Sequence, residues 1–260
     1  MNIVVLMKMV PDVVEELEIA AGGRSLDPDA LRMILSESDE HALEQALLMK
    51  ERYGGTVTAM ALDAPEVDDA LYTALAKGAD RALKVTDGDG ARSTTRAGFV
   101  LAKTISCQAG GAADLILTGV QAIDDLDGLV APAIACELGL PYLGLVTRLA
   151  ADSAGKMATA TREYPGGVRG EFELKLPAVF GVQAAEHPPR YVPVAKVRMA
   201  MKSQKIECVD ARALAQGGPA LVEVKDMQKV RPAAHARILE GSPEEVSGSL
   251  CGILNECGVL

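Results

Sequence analysis

The side chains best able to do chemistry in this chain gather in GVQAIDDLDG, Gly119 to Gly128. Gln121 and three aspartates, Asp124, Asp125 and Asp127, stand there between an apolar run, Leu115–Leu117, and a helical pattern that begins near Leu129. A strand-to-helix junction is where an α/β protein holds a phosphate, on the amides of a helix start. The phosphate loop G-x-x-x-x-G-K-[ST] is not matched, because lysine and hydroxyl are absent, and G-x-G-x-x-G is missing too. A carboxylate ~4 Å from a like charge, at an effective dielectric near 20, costs roughly 4 kcal/mol. The aspartates must therefore turn away from any bound anion, toward sugar hydroxyls or loop amides. Main-chain amides around Ile123 to Leu129 would then grip the anion, with Gly119 and Gly128 giving the backbone its close approach. The plainer reading is that Asp127 or Gly128 only caps the helix, with Pro132 in its first turn. Pattern alone leaves both open.

Catalysis finds less support. Asp124 and Asp125 are adjacent, so an acid/base pair would need opposed side-chain directions, and the stretch has no histidine or serine. We assign no catalytic residue. Cys107, Cys136, Cys208, Cys251 and Cys257 show no C-x-x-C and no metal-ligand spacing, which suits a reducing cytosol and predicts no metal site. His41, His187 and His235 are far apart and read as chance surface placements.

The elements that must position the junction follow from periodicity. Asn2–Met7 is apolar on both faces, as a strand of a parallel sheet must be. Residues 10–31 read as loop with short strands. DEHALEQALLMKER, from Asp39 to Arg52, has the 3.6-residue period of a helix, with Ser36 or Ser38 as its cap. Thr56–Leu62 reads as a strand, a helix runs from Pro65 to near Gly78, Ala82–Val85 is a short strand and Thr94–Gln108 a helix. This alternation predicts a doubly wound, mainly parallel sheet. In such sheets ligands sit beyond the strand carboxyl ends, where strand order reverses. After Pro141, two-residue alternation and glycines at Gly155 and Gly166–Gly167 predict an antiparallel excursion that returns at Ala178–Val182. His187–Cys208 carries prolines and apolar–basic alternation and reads as an exposed arm. Pro243 opens a terminal helix. We place a nucleotide-binding domain at 1–186 and the arm and C-terminal helix at 187–260.

At 260 residues the chain is long enough for a full core, which with 49% hydrophobic but only 3% aromatic residues must be aliphatic. A formal net charge of −10 argues against a nucleic-acid partner. No run approaches the roughly 18 apolar residues of a membrane span, so a cytoplasmic protein is expected.

Several of these stretches together resemble one family. VVLMKMVPD, SESDEHALEQAL, TALAKGADRA, GVQAIDD, LKLPAVFGV and PPRYVPVAKVRMAMKSQKIE occur in an order similar to that of the beta subunit of electron transfer flavoproteins. The resemblance runs from Val4 to about Glu207. It implies a Rossmann-like, adenine-nucleotide-binding domain, an electron carrier rather than an enzyme, and a heterodimer with an alpha subunit. That pair would carry electrons from flavin dehydrogenases to a quinone-linked or other acceptor, on an FAD held mainly by the alpha subunit. The nucleotide would be AMP. LDGLVAP, with Val130 and Pro132, is similar to the form of electron-bifurcating members, in which a second FAD takes its place. By resemblance the nucleotide meets Leu6, then Ser36, Glu37, Ser38 and Asp39, then Leu62. It also meets the junction from Gly119 through Val120, Gln121, Ala122, Ile123, Asp124, Asp125, Leu126, Asp127, Gly128 and Leu129 to Val130. The arm resembles the loop that recognises dehydrogenases, with Val194 at the anchor position and Met199 and Met201 adding an adaptable surface. The alternative from a different class is a stress-protein-like nucleotide-binding module acting as a homodimeric switch.

Overall fold

A computed structural model describes residues 1–88, 93–108, 113–152, 156–214, 224–230 and 236–260. The chain divides into two compact units, Met1–Asp226 and Met227–Leu260. The first is built on strands β1 (Asn2–Met7), β2 (Met9–Pro11), β3 (Met33–Leu35), β4 (Thr56–Leu62), β5 (Arg81–Thr86), β6 (Leu115–Gly119), β7 (Tyr142–Ala151), β8 (Met157–Tyr164), β9 (Val168–Lys175), β10 (Ala178–Val182) and β11 (Glu207–Asp210). Its helices are α1 (Glu37–Tyr53), α2 (Val67–Lys77), α3 (Thr94–Gln108), α4 (Val130–Leu138) and α5 (Val194–Ser203).

Among the described residues one nine-stranded sheet has the order β11-β5-β4-β1-β6-β10-β7-β8-β9. It is parallel from β11 to β7 and antiparallel from β7 to β9, so the predicted excursion is present. Its turn at Gly166–Gly167 joins β8 to β9, while Gly155 lies outside the described residues. Alternate residues of a strand face opposite ways, and β1 uses both faces. Ile3 and Val5 pack with Leu43 and Leu47 of α1 and Leu71 of α2. Val4 and Leu6 pack with Val100 and Leu101 of α3 and Ile134 of α4. Two helical layers thus cover the parallel part, which is why its strands are apolar throughout.

Two expectations need amendment. The helix expected from Asp39 starts at Glu37; Ser36 holds the N-cap position, but neither it nor Ser38 caps through its side chain. The stretch read as an exposed arm folds in its second half. Val197 and Ala200, three residues apart, put one side of α5 against the core, and Ala200 is buried. Helical spacing over so short a run imitates apolar–basic alternation. β11 then adds a parallel strand beside β5, helped by Arg81 Nη2 at 2.8 Å from Glu207 Oε2. In the second unit α6 (Pro243–Glu256) starts as predicted, with a capping box: Ser242 Oγ accepts the Glu245 N–H and Glu245 Oε2 accepts the Ser242 N–H. His235 lies outside the described residues.

Candidate functional site

From β1 the sheet grows one way through β4 and β5 and the other way through β6 and β10. β1 and β6 are therefore the pair at which strand order reverses, the place where α/β sheets open a crevice. A cavity of about 630 Å³ lies at their carboxyl ends. Its wall contains Leu6 from β1, Asp39 from α1, Leu62 from β4 and most of the junction: Gly119 to Ala122, Asp124, Asp125, Asp127, Gly128 and Val130. The structure thus brings Leu6, Leu62, most of the junction and, from the stretch Ser36 to Asp39, Asp39 alone to one cavity. Ser36, Glu37 and Ser38 stand outside the wall, as do Ile123, Leu126 and Leu129, which are exposed.

What holds the crevice is a buried carboxylate. Asp39 Oδ2 accepts the Lys8 N–H at 2.8 Å, just past β1, and Asp39 Oδ1 accepts the Gly119 N–H at 2.6 Å, ending β6. One side chain on α1 staples both strand ends. Burial raises its pKa, the two amides and Lys8 lower it, and burial wins, leaving it at about 7. Gly119 must be glycine because of this approach: a Cβ there would overlap Ser38 Oγ and lie 2.6 Å from Asp39 Oδ1. Ser38 Oγ donates to the Gln121 carbonyl at 2.7 Å, and the Ser36 N–H donates to the Lys8 carbonyl at 3.0 Å. Ser36 at the N-cap and Ser38 in the first turn of α1 are thus braces behind the cavity.

The junction loop is closed by its own contacts. The Leu126 amide donates to the Ala122 carbonyl at 2.9 Å, and Asp127 Oδ1 accepts the Leu129 N–H at 3.0 Å. With the Asp125 amide, which donates to the Ala122 carbonyl at 3.4 Å, three amides of the Ile123–Leu129 stretch are spent inside the loop and not on an anion. Asp127 steadies the entry to α4 by a turn of its own, with Pro132 in the first turn, but the N-cap position falls on Leu129 and no side chain caps the helix, so the capping expectation for Asp127 or Gly128 is corrected. Gly128 has φ +61°, and a Cβ there would sit 2.9 Å from the Val120 carbonyl oxygen.

Sequence reasoning missed the partner of the adjacent acids. Lys8 Nζ lies 2.6 Å from Asp124 Oδ1 and 2.8 Å from Asp125 Oδ2. Burial lowers the Lys8 pKa, but the two aspartates outweigh it and the net shift is upward, so the ammonium stays charged. The lysine that the junction lacks comes from the end of β1. The one available signal was a single lysine in MNIVVLMKMVPD, between two methionines at the end of an apolar strand. α3 begins at Thr94 as the sequence predicts, but its place at the cavity was missed. Thr94 and Ala97 line the cavity, and Ser93 Oγ accepts the Arg96 N–H at 3.3 Å. Two helices therefore begin at the cavity, since Val130 and Ala131 of α4 also line it. First-turn amides lack intrahelical acceptors and carry partial positive charge.

The segment after β10 is laid along α1. The Ala185 N–H donates to His41 Nδ1, the Glu186 N–H to Gln45 Oε1, and the Arg190 N–H to Glu44 Oε2. Arg190 grips the buried Glu44 through Nε and Nη2 and reaches Glu51 Oε1 at 2.6 Å through Nη1, which holds Glu51 below the usual carboxylate range. Beyond this clamp Val194, Met199 and Met201 are 63%, 68% and 39% exposed. Among the described residues no group of three His, Cys, Asp or Glu side chains has the placement to hold a metal ion, and no helix is long and apolar enough to cross a membrane.

Comparison with known proteins decides the family. The profile described as electron transfer flavoprotein domain matches residues 25–214. This chain belongs to the electron transfer flavoprotein beta subunit family. It is 30% identical to the electron transfer flavoprotein subunit beta of Bacillus subtilis over 260 residues, covering 98% of this chain and 97% of that one. To the same subunit of Methylophilus methylotrophus it is 29% identical over 265 residues, 98% of each chain. To the protein FixA of Azorhizobium caulinodans it is 32% identical over 210 residues, 79% of this chain and 74% of that one. Electron transport and a flavoprotein role follow from this membership, and the doubly wound parallel sheet agrees with it.

Proposed function

We propose that this electron transfer flavoprotein chain works as the beta subunit of a heterodimer and binds AMP, or a second FAD in its place, at the β1/β6 crevice. The observation that carries this reading is the crevice itself: a cavity where strand order reverses, at the starts of two helices. The residues fit an adenine nucleotide. Leu6, Leu62 and Leu101 offer apolar wall to a base, first-turn amides of α3 and α4 suit a phosphate, and carboxylates suit ribose hydroxyls. Asp39, Asp124, Asp125 and Asp127 each have a partner within the protein that fixes their orientation.

In this reading the alpha subunit carries most of a shared FAD, which this chain helps to enclose. The flavin supplies the redox chemistry when bound; the residues of this chain bind, orient and shield, and none makes or breaks a bond. Val194, Met199 and Met201 beyond the Arg190 clamp form the surface offered to flavin dehydrogenases.

Co-expression with the alpha subunit should yield a yellow complex, while this chain alone stays nearly colourless. Denaturing the complex and weighing what is released should give one AMP per FAD, or two FAD and no AMP. A stable homodimer that never recruits flavin would favour the homodimeric-switch alternative.

A further inference from the structure

The nucleotide cavity is acidic. Asp39, Asp63, Asp124, Asp125 and Asp127 line it, and Lys8 is the one basic side chain among the described residues of its wall. Backbone amides hold Asp39 and Asp127 in place. Lys8 brings an opposite charge to the two adjacent acids of the loop.

The root of that lysine is fixed as firmly as its tip. Its N–H is held by Asp39 Oδ2 and its C=O by the Ser36 N–H, both from the start of α1. Its Nζ then spans to the loop that follows β6. One residue thereby ties α1, β1 and the junction together around the cavity. An ammonium carries three N–H donors, and Asp124 and Asp125 accept two of them.

We propose that Lys8 is the positioning residue that lets this acidic cavity accept an anionic nucleotide, by neutralising Asp124 and Asp125 and fixing the junction loop between them. The inference rests on the nucleotide reading above and adds the residue on which that reading depends. It also answers how a junction with three aspartates and no lysine can serve an anion: the cation arrives from a neighbouring strand.

The test uses the full chain co-expressed with its alpha subunit, stripped of nucleotide, and titrated with AMP by calorimetry, with thermal melting of each variant alongside. Lys8→Met should weaken AMP binding at least about tenfold, the loss expected for a charged hydrogen-bonding group. Lys8→Arg should stay within a few-fold of the parent. The combined variant Lys8→Met, Asp124→Asn, Asp125→Asn should regain most of the affinity, because the acids no longer need neutralising, a recovery that a merely structural lysine would not show. Should Lys8→Met fail to fold, Asp124→Asn with Asp125→Asn on the parent background decides: binding within a few-fold supports the role, and a loss beyond tenfold overturns it. Equal AMP affinity in Lys8→Met and the parent overturns the inference and leaves the nucleotide reading standing. A parent complex that binds no AMP and releases no adenine nucleotide overturns both.

Discussion

The crevice at β1/β6 and the surface beyond Arg190 are both assembled on α1, and they are built in opposite ways. At the crevice the start of α1 sends side chains into the backbone of its neighbours: Asp39 to Lys8 and Gly119, Ser38 to Gln121. Further along the same helix, Glu44 and Glu51 hold one guanidinium, and past it apolar side chains stand in solvent. The first arrangement fixes a cavity to within hydrogen-bond tolerance, as a small ligand demands. The second fixes only the root of a surface and leaves its methionines exposed, which suits the proposed docking of partners. One helix thus braces a cavity at its start and ties down an exposed segment along its side.

If the two regions differ in this way, breaking the staple should cost most. Asp39→Ala leaves two buried amides without acceptors and should destabilise the chain by about 4 kcal/mol, read from urea unfolding. Arg190→Leu strands the buried Glu44 carboxylate and should cost roughly 3 kcal/mol by the same measurement, while nucleotide affinity stays unchanged. Nucleotide loss in Arg190→Leu would show that the two regions are not separable.

A pH series sharpens the contrast further. The folded pKa of Asp39, about 7, lies above the ordinary carboxylate value of about 3.9. The folded state therefore binds the extra proton, and stability is fully present below about pH 4 and lost as pH rises through 7. The slope from this one group is roughly 1.4 kcal/mol per pH unit within that window. Subtracting the Asp39→Ala profile from that of the parent should isolate it. The smallest effect on stability belongs to the exposed methionines. Met199→Ser with Met201→Ser should change unfolding by less than about 0.5 kcal/mol, yet slow electron acceptance from a dehydrogenase.

Much of the fold is legible in the sequence because both faces of β1, β4, β6 and β10 are apolar while the helices between them keep a 3.6-residue period. The junction is legible for the same reason, since aspartates and glycines interrupt an apolar strand at Gly119. What escapes is whatever depends on a contact between distant residues. Lys8 and Asp124 are 116 positions apart, and nothing local in either stretch names the other. The staple escapes equally: Asp39 reads as an acid in a first helical turn, which suits the helix dipole, and only the packing of α1 between β1 and β6 reveals two amides waiting for it. α5 and β11 were hidden by scale, since ten residues and four residues give too few periods to separate a helix or an edge strand from an exposed arm.

The most direct measurement of the central claim is a crystal structure of the heterodimer grown with abundant AMP and flavin. The account predicts an adenosine group between Leu6, Leu62 and the junction, its phosphate at the starts of α3 and α4, and Lys8 still set against Asp124 and Asp125. A crevice closed by packed side chains, with every nucleotide bound elsewhere, would contradict it.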